Sequence, residues 1–148
     1  MSEDLSRYLD VFRALDAQGV RYVAVGGVAV VLRGHVRPVA DLDLVVDPEP
    51  AASAHAVRTL LALAFVPGIP LPLHLLTVLR MFDASRREVD LFARYHVPFA
   101  ALWTQSDLLP VAGCPVRIAS LEHTLQVKRL LGRPDDLLDV EGLIKVWP

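Results

Sequence analysis

The 148-residue chain contains one cysteine, Cys114, so no internal disulfide can brace it. Cys114 sits in Ala112-Gly113-Cys114-Pro115, a turn-like stretch with no base beside the thiol, and is read as structural rather than nucleophilic. Long hydrophobic runs are missing: Arg, Asp, Pro or His interrupts every apolar stretch before the roughly 18 residues a membrane span needs. The chain also lacks an excess of charge of one sign. A net charge of −2 gives no global attraction to nucleic acid. There is no internal repeat, coiled-coil heptad or low-complexity linker, and the five histidines (His35, His55, His74, His96, His123) show no metal-ligand spacing. The acidic start Met1-Ser2-Glu3-Asp4 is unlike a signal peptide, and with a lone cysteine it sets the expectation of a cytoplasmic protein.

What is present is apolar. A hydrophobic fraction of 53 % argues for one compact domain over residues 1–148 and against disorder. Leu5, Tyr8, Leu9, Phe12 and Leu15 follow helical spacing, with Ser2 as cap and Gly19 as stop. A strand is expected over 21–25, a short helix over 28–33, a strand over 40–46 and a helix over 51–63 opened by Pro50. After the proline-rich stretch from Pro67 to Pro72, read as a loop, strands over 75–82 and 87–92 form an antiparallel pair. A small hairpin about Gly113 follows, then helices over 121–131 and from Pro134 to about 146. The pair Arg86-Arg87 reads as solvated surface.

The informative pattern is Val25-Gly26-Gly27, thirteen residues, then Asp41-Leu42-Asp43 inside an apolar run. Strand side chains alternate faces, so Asp41 and Asp43 point the same way while Leu42 and Leu44 point the other. Two like charges on a buried strand are costly. A hard cation, Mg²⁺ or Mn²⁺, removes that cost by taking the carboxylate oxygens. The competing reading is an edge strand whose acids face water. A third acid, Asp90 in Glu88-Val89-Asp90-Leu91-Phe92, shares a face with Glu88 and Phe92. If its strand lies beside that of Asp41, three carboxylates converge; otherwise Asp90 pairs with Arg80 or Arg94. A dinucleotide site of the Gly-x-Gly-x-x-Gly kind is set aside, because only two adjacent glycines are present.

Gly26-Gly27, Asp41-x-Asp43 and Asp90, in that order, resemble the nucleotidyltransferase superfamily that includes DNA polymerase beta. Ser120 to Lys128, followed by Arg133, Asp136 and Asp139, is similar to the abortive-infection nucleotidyltransferase-toxin branch and its small relatives. The resemblance implies an α/β (α+β) fold: a mixed, twisted sheet with flanking helices, a core over about 6–100 and a C-terminal helical tail over about 119–147. It implies metal ligation by Asp41, Asp43 and Asp90, and nucleotide contacts from Gly26, Gly27, Arg37 and Lys128. Arg133, Asp136 and Asp139 would either orient Lys128 or join the last two helices. The implied activity is Mg²⁺- or Mn²⁺-dependent transfer of a nucleoside monophosphate from an NTP to a hydroxyl on tRNA or other RNA, protein or a small molecule. A toxin–antitoxin partnership is a further implication. Val39 stands where relatives often have Thr or Ser, which keeps a second reading open: a nucleotide-binding or partner-binding antitoxin or regulatory module without turnover.

Overall fold

The computed structural model describes residues 3–148, and side chains from Leu5 onward. In chain order the elements are α1 (Glu3–Ser6), α2 (Leu9–Ala17), β1 (Tyr22–Val25), α3 (Gly26–Leu32), β2 (Leu42–Val46), α4 (Pro50–Ala62), β3 (Val66–Pro67), β4 (Val78–Phe82), β5 (Glu88–Phe92), α5 (Phe99–Gln105), β6 (Asp107–Val111), β7 (Cys114–Ile118), α6 (Leu121–Leu131) and α7 (Pro134–Val146). The strands form one mixed seven-stranded sheet in the order β3-β4-β5-β2-β1-β7-β6. β2 pairs antiparallel with β1 and parallel with β5, while β4 and β5 form the antiparallel pair expected from their sequences.

The two faces of the sheet are covered unequally, and that inequality makes the site. On one face Leu42 and Leu44 of β2, Val89 and Leu91 of β5 and Leu79 and Met81 of β4 pack with Phe12 and Leu15 of α2 and Ala56 and Leu60 of α4. This is the main core, and burying such side chains is the principal source of stability. On the other face Val23, Val25 and Val45 meet Leu102 of α5 and Val127 of α6. That second cluster covers only part of its face. Period two then carries Asp43 and Asp90 to the same face, beside the cluster, where the sheet opens into a cleft.

Several boundaries move from the sequence reading, each for a local reason. The first helix is broken: Tyr8 leaves helical geometry (φ −107°, ψ 10°), and its hydroxyl donates to the carbonyls of Glu88 (3.1 Å) and Ala40 (3.4 Å). One buried phenol thereby ties the N-terminal helices to the segments leading into both acid-bearing strands. The cap expected at Ser2 lies outside the described residues. Gly19 does end α2, at φ +65°. α3 begins at Gly26 rather than Val28, and β2 begins at Leu42, so Asp41 immediately precedes its strand. β4 starts at Val78 because Leu73–Leu75 form a 3-10 turn, and the loop after α4 contributes the two-residue edge strand β3.

Helix α5, absent from the sequence reading, starts after Pro98 and packs Phe99 and Leu102 inward. Arg87 is no solvated basic residue: Nε lies 2.8 Å from Asp83 and Nη1 2.7 Å from Asp10, which pins the β4–β5 turn to α2. The C-terminal helices match their sequence signals. Ser120 accepts from the His123 amide at 3.0 Å, Gly132 turns left-handed at φ +61°, and Pro134 opens α7. Within α6 the buried face is His123, Thr124 and Val127, while Leu131 is exposed. Lys128 accordingly faces inward beside Val127 rather than reaching for solvent.

Candidate active site

Parallel pairing of β2 with β5 sets Asp43 directly opposite Asp90. One step earlier in both segments come Asp41 and Glu88, two residues before their partners and therefore on the same face. Asp-Leu-Asp and Glu-Val-Asp thus lie side by side, with their hydrophobic middles in the main core and four carboxylates on the opposite face. Carboxylate oxygens of Asp41, Glu88 and Asp90 all lie within 4.8 Å of one another. Asp90 is 5 % exposed, and its Oδ1 has no hydrogen-bond partner. Of the two arginines considered for it, Arg80 approaches Oδ2 only to 4.0 Å, from a side chain 65 % exposed, and Arg94 bonds instead to the Leu76 carbonyl.

Burial and mutual repulsion show in the acidities. Burial, then the charge of Asp41, pushes the Asp43 carboxyl up to about 7, against a smaller opposing pull from Lys128. Asp90 is raised as well, by burial, by its hydrogen bond with Glu88 and by the charge of Asp43. A set of hard oxygen donors, crowded enough to repel one another and including one buried oxygen with nothing bonded to it, fits Mg²⁺ or Mn²⁺.

Gly26 and Gly27 sit against this acidic patch for steric reasons. Val25 is opposite Asp43, and the chain then turns at Gly26 with φ +63°, where a Cβ would lie 2.5 Å from Asp43 Oδ2. A Cβ on Gly27 would come within 3.0 Å of the Arg37 guanidinium. The two glycines therefore let an acid and a base approach the same stretch of backbone.

Arg37 leads to the second charged cluster. Its Nε and Nη2 donate to the two oxygens of Asp139 at 2.7 and 3.0 Å. Lys128 Nζ lies 3.0 Å from Asp139 and 3.2 Å from Asp136, and Arg133 Nε donates to Asp136 at 2.6 Å. Asp136 and Asp139 thus bind Lys128, while the Arg133–Asp136 contact closes the start of α7. His35 adds its Nε2 3.7 Å from Asp139, with its ring seated so closely on Gly142 of α7 that a Cβ there would lie 2.0 Å away. For Asp139, burial opposes ionisation, but hydrogen bonds from Arg37 and Lys128 outweigh it and hold the carboxyl below the usual range. Asp136 is lowered by the Arg133 hydrogen bond, then by Lys128 against burial.

All seven residues singled out in the sequence, Gly26, Gly27, Arg37, Asp41, Asp43, Asp90 and Lys128, line one cleft of about 1430 Å³. Glu88 was the residue missed. Its signal was available, because it stands two before Asp90 as Asp41 stands two before Asp43, yet a glutamate at the start of a strand reads as a solvated end.

No protein-family model matches the sequence. No curated protein matches it either. Solved structures do, over nearly the whole chain. The lincosamide antibiotic adenylyltransferase LnuA, bound to lincomycin, is 16 % identical, with 99 % of this chain and 98 % of that one covered and a TM-score of 0.70. ANT(2'')-Ia in complex with adenylyl-2''-tobramycin is 15 % identical, with 99 % and 91 % covered and a TM-score of 0.66. An antigenic nucleotidyltransferase-like protein from Paracoccidioides brasiliensis is 20 % identical, with 98 % and 77 % covered and a TM-score of 0.66. The chain has the nucleotidyltransferase fold. Among the described residues no helix is long and apolar enough to cross a membrane.

Proposed function

We propose that this protein is a divalent-cation-dependent nucleotidyltransferase that moves a nucleoside monophosphate from an NTP to an acceptor hydroxyl. The observation that carries the reading is the meeting, in one cleft of this fold, of the strand carboxylates, the glycine turn and the cations Arg37 and Lys128. When bound by Asp41, Asp43 and Asp90, Mg²⁺ or Mn²⁺ would acidify the acceptor hydroxyl and neutralise the triphosphate. Asp90, buried with Oδ1 unbonded, is placed either to hold the first ion or to take the acceptor's proton. The acceptor oxygen then bonds to the α-phosphorus as the bond to pyrophosphate breaks. The Gly26-Gly27 backbone lies along the phosphates, and Lys128 and Arg37, held in place by Asp136 and Asp139, balance the charge of the departing pyrophosphate.

The acceptor is a hydroxyl of RNA such as a tRNA end, of a protein or of a small molecule; lincomycin and tobramycin on the two antibiotic-modifying structures make small molecules the first to try. Label transfer from each α-labelled NTP with Mg²⁺ to these three acceptor classes is the direct trial. Asp41→Ala and Asp43→Ala should each lower transfer on the order of a thousandfold, the loss of several kcal/mol of transition-state stabilisation. Equal transfer by parent and variants would overturn the assignment.

A second reading has its own observation. Val39 is buried and apolar where a polar contact would serve a nucleotide, and Lys128 and Arg37 are already ion-paired. It makes the chain a nucleotide- or partner-binding module, such as one half of a toxin–antitoxin pair. Calorimetry showing NTP·Mg²⁺ binding with no product from any acceptor selects it.

A further inference from the structure

Three carboxylates suffice for the proposed transfer, and Glu88 is a fourth. Its placement is built into the sheet: parallel register puts it beside Asp41, and period two puts it on the same face as Asp90. Like charges facing one another across neighbouring strands are destabilising, so an unneutralised square of acids is a poor way to make a strand pair. Two further observations give Glu88 a task. The trio whose oxygens come within 4.8 Å of one another is Asp41, Glu88 and Asp90, without Asp43. Within that trio Asp90 is 5 % exposed and leaves Oδ1 unbonded. Asp43 leans the other way, toward the turn at Gly26, where a Cβ would lie 2.5 Å from its Oδ2.

A small hard cation takes six oxygen ligands and usually keeps several waters when only one or two carboxylates hold it. Three carboxylates of the protein supply half of that shell without any nucleotide. Asp43, together with a shared Asp41, remains for an ion that arrives with the triphosphate.

We propose that Asp41, Glu88 and Asp90 bind one Mg²⁺ or Mn²⁺ ion before any nucleotide arrives, with Glu88 as a ligand this chain adds to the three-acid site. The inference rests on the transferase reading for its purpose, though not for its test. Binding of Mn²⁺ to the full chain without nucleotide is followed by loss of the free-ion paramagnetic resonance signal, with circular dichroism and thermal melting to verify the fold. The expected result is one ion per chain. Glu88→Gln keeps the shape, removes the charge and should weaken Mn²⁺ binding about tenfold or more, on the scale seen when a metal site loses a supporting group. Glu88→Asp should restore part of the affinity, and Asp43→Asn should cost less than Glu88→Gln. No bound Mn²⁺, unchanged binding in Glu88→Gln, or a larger loss in Asp43→Asn than in Glu88→Gln overturns the proposal. Nucleotidyl transfer by a chain that binds no Mn²⁺ alone defeats this inference and spares the transferase reading. Mn²⁺ binding lost in Glu88→Gln, with no transfer to any acceptor, does the reverse.

Discussion

Asp90 and Asp139 are the same residue type, both buried in the same cleft wall, and the structure treats them in opposite ways. Asp90 stands among Asp41, Asp43 and Glu88, with its nearest arginine contact at 4.0 Å, and its proton affinity rises. Asp139 receives a two-pronged Arg37 and Lys128 within 3.0 Å, and its proton affinity falls. Burial penalises both charges; the neighbours decide the outcome. The cluster around Asp139 pairs each of its carboxylates with cations and acts as a brace. The other keeps its excess charge, the pattern that marks a candidate functional site.

The largest test of this contrast is Asp139→Asn, which leaves Arg37 and Lys128 sharing a buried site short of one negative charge. Breaking such a pair should destabilise by about 3 kcal/mol, or a fall of about 10 °C in Tm for a domain of this size. NTP affinity should fall with it. A Tm within a degree of the parent would show that the brace is only surface decoration.

Lys128→Ala comes next. Its Nζ faces the proposed phosphate cleft but lies between two carboxylates that are each 3 % exposed. Stability should therefore drop too, by about 1–2 kcal/mol, since Arg37 and Arg133 still serve Asp139 and Asp136. Affinity for NTP·Mg²⁺ measured by calorimetry should weaken about tenfold, the loss of one charge-assisted phosphate contact. Unaltered affinity would remove Lys128 from the phosphate site and leave it a purely bracing residue.

The smallest effect is in the pH dependence of melting, where the two clusters pull in opposite senses. Asp43 holds its proton more tightly folded than unfolded, so its contribution is fully present below about pH 4 and is lost as pH rises through about 7; Asp90 acts in the same sense. Asp136 and Asp139 contribute above about pH 4 and lose that contribution as pH falls through their lowered folded values. Melting at a series of pH values should thus show an acid limb from the brace and an alkaline limb from the acids. Mg²⁺ or Asp43→Asn should raise the alkaline limb by about 2–4 °C and leave the acid limb alone. Parallel shifts of both limbs would dissolve the distinction.

How far the residues alone could be read follows from the range of the forces involved. Asp-Leu-Asp betrayed its face through strand alternation, and Ser120, Gly132 and Pro134 marked the last two helices through local backbone chemistry. Helix α5 carried only a proline and seven residues, too short for a periodic signal, and its formation depends on covering Val25 and Val45. The break at Tyr8 went unread for a similar reason. Leu5 to Leu15 has helical spacing throughout, and the cause of the interruption is a hydrogen bond to Glu88, eighty residues away.

The sequence by itself determined which residues are acidic on one face of a strand, where the glycines allow close approach, and where helices start and stop. Those are properties of neighbours one to four positions apart, set by backbone geometry. Tertiary structure alone decided that β5 runs parallel to β2 in the register that sets Glu-Val-Asp against Asp-Leu-Asp. It alone decided that α7 brings Asp136 and Asp139 to Lys128 and Arg37 rather than leaving those cations to solvent. Charge interactions depend on distance in space and on exclusion of water, and neither exists until the sheet and its unequal cover have formed.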